Sequence, residues 1–187
     1  MAEGVQVVSA SDGDVVRAYT SHWVSQISFA EPIVLASVSP RHDTWPLMAA
    51  SGRFAVSLLA GDQVTEGQYF SYPGRRFERL LTEYLEPVSS AEATWWVVPG
   101  CIAWLGCEVL AIQSTIGDDG EVPLDHHLVF ARVVAVGEGR IGEPPLVYSS
   151  RQGWRVASTR ARAAGDSVRD ELLARVEQAR TRATGEG

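Results

Sequence analysis

Asp125-His126-His127-Leu128-Val129-Phe130-Ala131-Arg132-Val133, followed a short loop later by Pro144-Pro145-Leu146-Val147-Tyr148, decides how this chain is read. Its apolar part, rich in β-branched residues and carrying an aromatic ring, predicts a strand over residues 128–136. The run also sets a carboxylate and two histidines at the mouth of that strand. Successive strand residues face opposite sides, so His126 and His127 belong to different surfaces. Taken alone, Asp125 paired with His126 describes a tie between a loop and a strand.

Working outward, further strands fall on both sides. Residues 101–113 form the preceding strand, with Gly117-Asp118-Asp119-Gly120 as an exposed loop between the two. Near the start, the β-rich runs 5–10 and 15–19 flank Ser11-Asp12-Gly13-Asp14, whose Asp-Gly step predicts a hairpin. Residues 33–38 form a strand opened by Pro32, which cannot donate within a ladder. A short helix follows, with Asp43 or Thr44 as its cap, Pro46 in its first turn and Gly52 closing it. Residues 54–60 return to strand. Phe77, Leu80, Leu81 and Tyr84 share one helical face and predict a helix over 75–85; Val168, Leu172 and Val176 predict another over 166–184, capped by Asp166. Several antiparallel strands with few helices imply a mainly β barrel: one domain over residues 1–160, with 161–187 as an accessory helix and flexible end.

Composition narrows the function. The chain has 187 residues, 45% of them apolar, enough for a full core. A net charge of -7 and a pI near 5.1 disfavour nucleic-acid binding, which depends on clustered cations. All 16 cationic residues are arginine, which excludes Schiff-base lysine chemistry. Cys101 and Cys107 are spaced for neither a zinc site nor a short redox pair and read as two buried thiols, so no metal is expected. Lacking a bilayer-length apolar stretch or a charged leader, the chain reads as cytoplasmic with no membrane partner. A Gly-x-Gly-x-x-Gly fingerprint is absent, which argues against a Rossmann dehydrogenase. Trp95 and Trp96, adjacent in a strand, point to opposite faces and belong to core or interface. His22 and His42 read as solvent-exposed loop positions.

One junction points to an anion. Ser37-Val38-Ser39-Pro40-Arg41-His42-Asp43-Thr44 leads from a strand into a helix N-terminus, where free N–H groups and the helix dipole favour a phosphate. The hydroxyls of Ser39 and Thr44 and the Arg41 guanidinium add donors. The plainer reading of the same residues is a capped helix start with a surface arginine.

Taken together, these segments resemble the flavin reductase-like, FMN-binding split-barrel family. In that family a late strand reads approximately Asp-His-x-Leu-Phe-x-Gly-x-Val and is followed by Pro-Leu-x-Tyr; here Ala131 replaces the glycine and Gly153-Trp154 occupies the later turn. The stretch from Tyr19 through Thr20-Ser21-His22-Trp23 to Ser28-Phe29-Ala30-Glu31-Pro32 is similar to the family's Thr-x-Ser and Ser-Phe-x-Pro, which line the ribityl chain and ring edge of the flavin. Gly52-Arg53-Phe54-Ala55-Val56-Ser57-Leu58, continuing to Gln63, resembles Gly-x-Phe-x-Val-Asn-x-Leu and its following Gln, with Ser57 in place of asparagine. A hydroxyl cannot reproduce the paired geometry of an amide.

The resemblance implies cofactor contacts from Thr20, Ser21, His22, Trp23, Ser37, Val38, Ser39, Arg41, Thr44, Ser57 and Gln63, and a catalytic role for His126 beside the flavin and nicotinamide. It implies hydride transfer from NADH or NADPH to FMN, with FAD as a further flavin, in a homodimer supplying a separate monooxygenase. The flavin carries the electrons, so no nucleophilic triad or carboxylate pair is required. Other readings remain open beside it: an oxidoreductase holding FMN tightly and reducing another small substrate, a non-catalytic FMN-binding protein, or a barrel that takes a non-flavin ligand. NADH and NADPH leave no distinguishing mark in the residues.

Overall fold

The computed structural model describes residues 3–71, 84–117 and 122–157. Seven antiparallel strands curl into a half-barrel: β2 (Gln6–Asp12), β3 (Val15–Ser21), β4 (Val24–Gln26), β5 (Ile33–Val38), β6 (Arg53–Leu58), β9 (Ala103–Ile116) and β10 (Val122–Glu138). Their order across the sheet is β3-β2-β6-β9-β10-β5-β4. A second sheet joins β1 (Glu3–Gly4), β11 (Leu146–Ser149) and β12 (Gly153–Val156), and β7 (Glu86–Ser89) pairs with β8 (Thr94–Val97). Two short helices, α1 (Thr44–Ser51) and α2 (Val64–Tyr69), complete the described elements.

Turn chemistry accounts for the joints. Asp12 pairs with Val15 across the two-residue loop Gly13-Asp14, where Gly13 takes φ 56°, as the Asp-Gly signal requires. Gly52 closes α1 in the left-handed conformation at φ 64°, its N–H donating to the Met48 carbonyl at 2.9 Å. Asp43 precedes α1 but makes no side-chain cap bond; in the first turn the Trp45 N–H donates to the His42 carbonyl at 2.9 Å and Pro46 has no N–H to offer. Helix α2, with the sequence Val-Thr-Glu-Gly-Gln-Tyr, has no apolar periodicity and is invisible to pattern reading. The helix expected at 75–85 falls largely, and that at 166–184 entirely, outside the described residues.

Strand β2 is buried on both faces. Val8 and Ala10 join Tyr19, Val38, Met48, Phe54, Cys107 and Val129 in the core that α1 packs against, while Val7 joins Val5, Leu59, Phe70, Val98 and Leu146 in the other. The adjacent tryptophans separate as alternation demands. Trp95 is buried with Ala55 and Val97, whereas Trp96 packs with the Val5 cluster. Glycines make room for two indoles: a Cβ at Gly106 would come within 2.5 Å of the Trp95 ring, and one at Gly137 would collide with Trp104. Cys101 and Cys107 are free and buried, and burial pushes the Cys107 thiol up to about 12.

Candidate functional site

The histidine pair sits on a pronounced irregularity of the β9–β10 ladder. Pro123 pairs with Thr115 and Leu128 with Gln113, so the four residues 124–127 stand opposite the single residue Ser114. Extra residues of this kind bend a strand and re-aim its side chains. On its other edge β10 is regular, with His127 against Val38 and Leu128 against Ser37 of β5. The bulge therefore faces the exit of β5, where the phosphate-type junction begins.

The two imidazoles diverge. His126 meets the Trp23 ring edge-on at 5.2 Å, and its Nδ1 lies 3.1 Å from Asp125 Oδ1. That hydrogen bond, followed by the charge of His126, holds the Asp125 carboxyl below the ordinary carboxylate range. His127 packs instead on Trp45 of α1, with centroids 4.2 Å apart. Trp23 is 54% exposed, and its carbonyl accepts the Ser37 N–H at 3.0 Å, which keeps it beside the end of β5.

Between β5 and α1 the chain turns tightly. The Ser39 carbonyl accepts the His42 N–H at 3.1 Å and the Ser39 Oγ accepts the Arg41 N–H at 3.3 Å, which leaves the hydroxyl proton of Ser39 free to donate. Arg41 is exposed, Val38 is fully buried in the core, and Thr44 is buried at the first position of α1. His42, expected in solvent, is half-buried instead: its ring lies 4.3 Å from that of Tyr19. Burial first, then the charge of His126, lowers its pKa against the opposing pull of Asp43. Trp23, Ser37, Val38, Ser39, Arg41, Thr44 and His126 thus share one end of the half-barrel.

Thr20, Ser21 and His22 form an adjoining group at the end of β3. Thr20 Oγ1 donates to the Gly67 carbonyl of α2 at 2.7 Å, and Ser21 Oγ accepts the Trp23 N–H at 3.1 Å. His22, expected in solvent, is also half-buried: it stacks on Tyr148 at 4.7 Å and 12°, with Trp154 edge-on at 6.3 Å. Desolvation lowers its pKa, with Glu3 acting in the opposite direction. Aromatic rings at β11 and β12 therefore approach the site, which no local spacing in the sequence signals.

Ser57 and Gln63 are engaged elsewhere. Ser57 Oγ accepts the Val98 N–H at 3.0 Å, while Gln63 Oε1 accepts the Ala60 N–H at 3.0 Å and its Nε2 donates to the Pro99 carbonyl at 2.9 Å. Both side chains fasten the 98–101 turn to β6 and the loop after it.

A phosphorylated flavin needs donors for its phosphate and polar groups along its chain and ring. Among the described residues, five side-chain atoms are shut away from solvent with no protein partner, Gln6 Oε1, the Tyr19 hydroxyl and the Nδ1 atoms of His22, His42 and His127, and the rings of Tyr19, His42 and His127 pack about the start of α1. Buried polar atoms are ordinarily satisfied. Together with Ser39, Arg41 and the start of α1, these groups fit such a cofactor.

The flavin reductase like domain family matches residues 1–155. The chain belongs to the flavin reductase-like domain family. The reductase component of a 4-hydroxyphenylacetate 3-monooxygenase from Thermus thermophilus is 32% identical over 154 residues, covering 82% of this chain and 88% of that one. An NADH-dependent flavin reductase of Pseudomonas fluorescens is 30% identical over 155 residues, covering 80% and 81%. The solved styrene monooxygenase flavin reductase of Pseudomonas putida aligns with a TM-score of 0.65 at 25% identity, covering 86% of this chain and 94% of that one. As in that family, the chain is a mostly β flavin reductase domain, and no described helix is long and apolar enough to cross a membrane.

Proposed function

We infer that this flavin reductase domain uses NADH to reduce FMN, with FAD as an alternative flavin, and delivers the reduced flavin to a separate monooxygenase. The observation that carries the reading is the convergence of the 39–44 turn with Trp23 and His126, in a chain about a third identical to a monooxygenase reductase component. The phosphate is held by Ser39, Arg41 and the first turn of α1 at Thr44, with Ser37 and Val38 forming the approach. Thr20, Ser21, His22 and Trp23 line the chain and ring edge. When bound, the flavin would supply the hydride-accepting chemistry, and the protein would orient it against the nicotinamide and balance charge around both. His126, braced by Asp125 and Trp23, faces the nicotinamide. Ser57 and Gln63 act by holding the turns beneath the site.

A homodimer accompanies this reading. An apolar groove of about 350 Å³ lined by Val24, Val34, Leu105, Val133 and Val136 runs beside the edge strand β4, and Phe29 nearby in sequence is 97% exposed. Surfaces of this kind mark interaction sites. Residues 1–160 constitute the flavin domain and 161–187 an accessory segment, and the protein acts in the cytoplasm.

The test is to mix purified protein with FMN or FAD and then NADH or NADPH under anaerobic conditions, following nicotinamide absorbance and flavin fluorescence. Rapid NADH loss dependent on added flavin is the expected result. Flavin binding without turnover would leave only a binding module.

A further inference from the structure

His42 has no assigned role in catalysis, and its placement is specific. Its backbone closes the 39–44 turn on both sides: the N–H donates to Ser39 and the carbonyl accepts the Trp45 N–H at 2.9 Å. Its side chain turns inward onto Tyr19, a residue 6% exposed whose own hydroxyl has no protein partner. Nδ1 of His42 is likewise enclosed and unpaired. Two shielded polar groups in ring contact, one of them within the turn assigned to the phosphate, describe a site prepared for a polar ligand.

The charges around His42 define its state. Tyr19 packs on it from β3, Asp43 adjoins it on the same turn, and His126 acts on it from β10. Burial and His126 together favour the neutral imidazole in the free protein. A phosphate dianion arriving at the turn reverses that balance, because a nearby opposite charge favours the protonated form.

We propose that His42 is a proton-linked anchor for the flavin phosphate, its imidazole taking up a proton from solvent as the phosphomonoester settles on the 39–44 turn. This rests on the assignment of that turn to the phosphate. Free His42 is neutral at pH 7 and bound His42 is protonated, so FMN affinity rises as pH falls through neutrality. The rise reaches at most about tenfold per pH unit where linkage is complete. Riboflavin, which has no phosphate, shows no such slope.

Calorimetric titration of the full chain with FMN and with riboflavin, from about pH 8 to about pH 6.5, keeps the phosphate mainly dianionic because its second ionisation lies near pH 6. Repeating the titration in buffers of different ionisation enthalpy counts protons directly and needs no variant. The expected results are net proton uptake with FMN alone, a several-fold gain in FMN affinity across the range, and loss of that slope in His42→Gln. FMN binding without proton uptake, an equal slope for riboflavin, or an unchanged slope in His42→Gln would overturn the inference and leave the flavin site standing. Failure of the wild-type chain to bind either flavin would overturn the site assignment and this inference with it.

Discussion

Trp23 and His126 meet edge to face, with ring centroids 5.2 Å apart and planes at 75°. One residue comes from the turn before β4 and the other from the bulge in β10, so the contact bridges the end of β5, which lies between those strands. An aromatic contact of this type is worth about 0.5–1.5 kcal/mol beyond area burial. Trp23→Leu is expected to lower kcat/KM for NADH about two- to tenfold. His126→Ala is expected to lower turnover about ten- to a hundredfold, since small losses of orientation are costly, while the FMN Kd changes less. Steady-state kinetics beside flavin fluorescence titration separates these outcomes; equal losses of FMN binding and thermal stability would assign His126 to the scaffold.

The 39–44 turn, proposed to hold the phosphate, gives a second expectation. Ser39 retains a hydroxyl proton after accepting from Arg41 N–H. Ser39→Ala is expected to weaken FMN binding by about 1 kcal/mol, roughly fivefold, and to leave riboflavin binding unchanged. An equal effect on both ligands would move the phosphate elsewhere.

The fold was legible where local chemistry dominates. The Asp-Gly hairpin, the strand at 33–38, the glycine closing α1 and the opposed Trp95 and Trp96 each rest on near neighbours in sequence. Helix α2 and the β7–β8 pair were not read, because the first has no periodicity and the second depends on packing. At the site, the junction from β5 into α1 could be read from its residue types. His42 on Tyr19 and His22 on Tyr148 could not, since each ring pair is made by elements far apart in sequence. The same is true of Ser57, whose bond to Val98 N–H ties β6 to a turn 41 residues away.

That bond is testable through stability. Ser57→Ala leaves the buried Val98 N–H unpaired and is expected to cost about 1–3 kcal/mol of unfolding free energy. Urea denaturation measures it, and the FMN Kd of the folded variant is expected to stay within about twofold. A large loss of flavin affinity without loss of stability would return Ser57 to the cofactor.

Packing on glycine gives a further expectation. Gly137→Ala drives a methyl group into the Trp104 ring and is expected to destabilise by about 1–3 kcal/mol, read from thermal or urea unfolding.

Stability is also expected to fall on both sides of neutrality. His22 and His42 have folded pKa values lowered below 6.5 by burial, so below about pH 6.5 the unfolded chain binds protons that the folded chain refuses, and stability falls with pH. Cys107 is raised from 9.0 to about 12, so its contribution is intact below about pH 9 and is lost as pH rises towards about 12. Urea midpoints measured from about pH 5 to about pH 10 should trace both arms. His42→Gln should flatten the acid arm and Cys107→Ala the alkaline one.

The four residues that β10 sets against one residue of β9 carry a consequence for how this protein can change. Here geometry is stored in a count of residues as well as in their identity. Removing Leu124 would keep both histidines and the whole apolar strand, yet it would shorten the bulge that carries Asp125 and His126 to Trp23. Point substitution can tune such a site by degrees, but insertion or deletion rewires it in a single step.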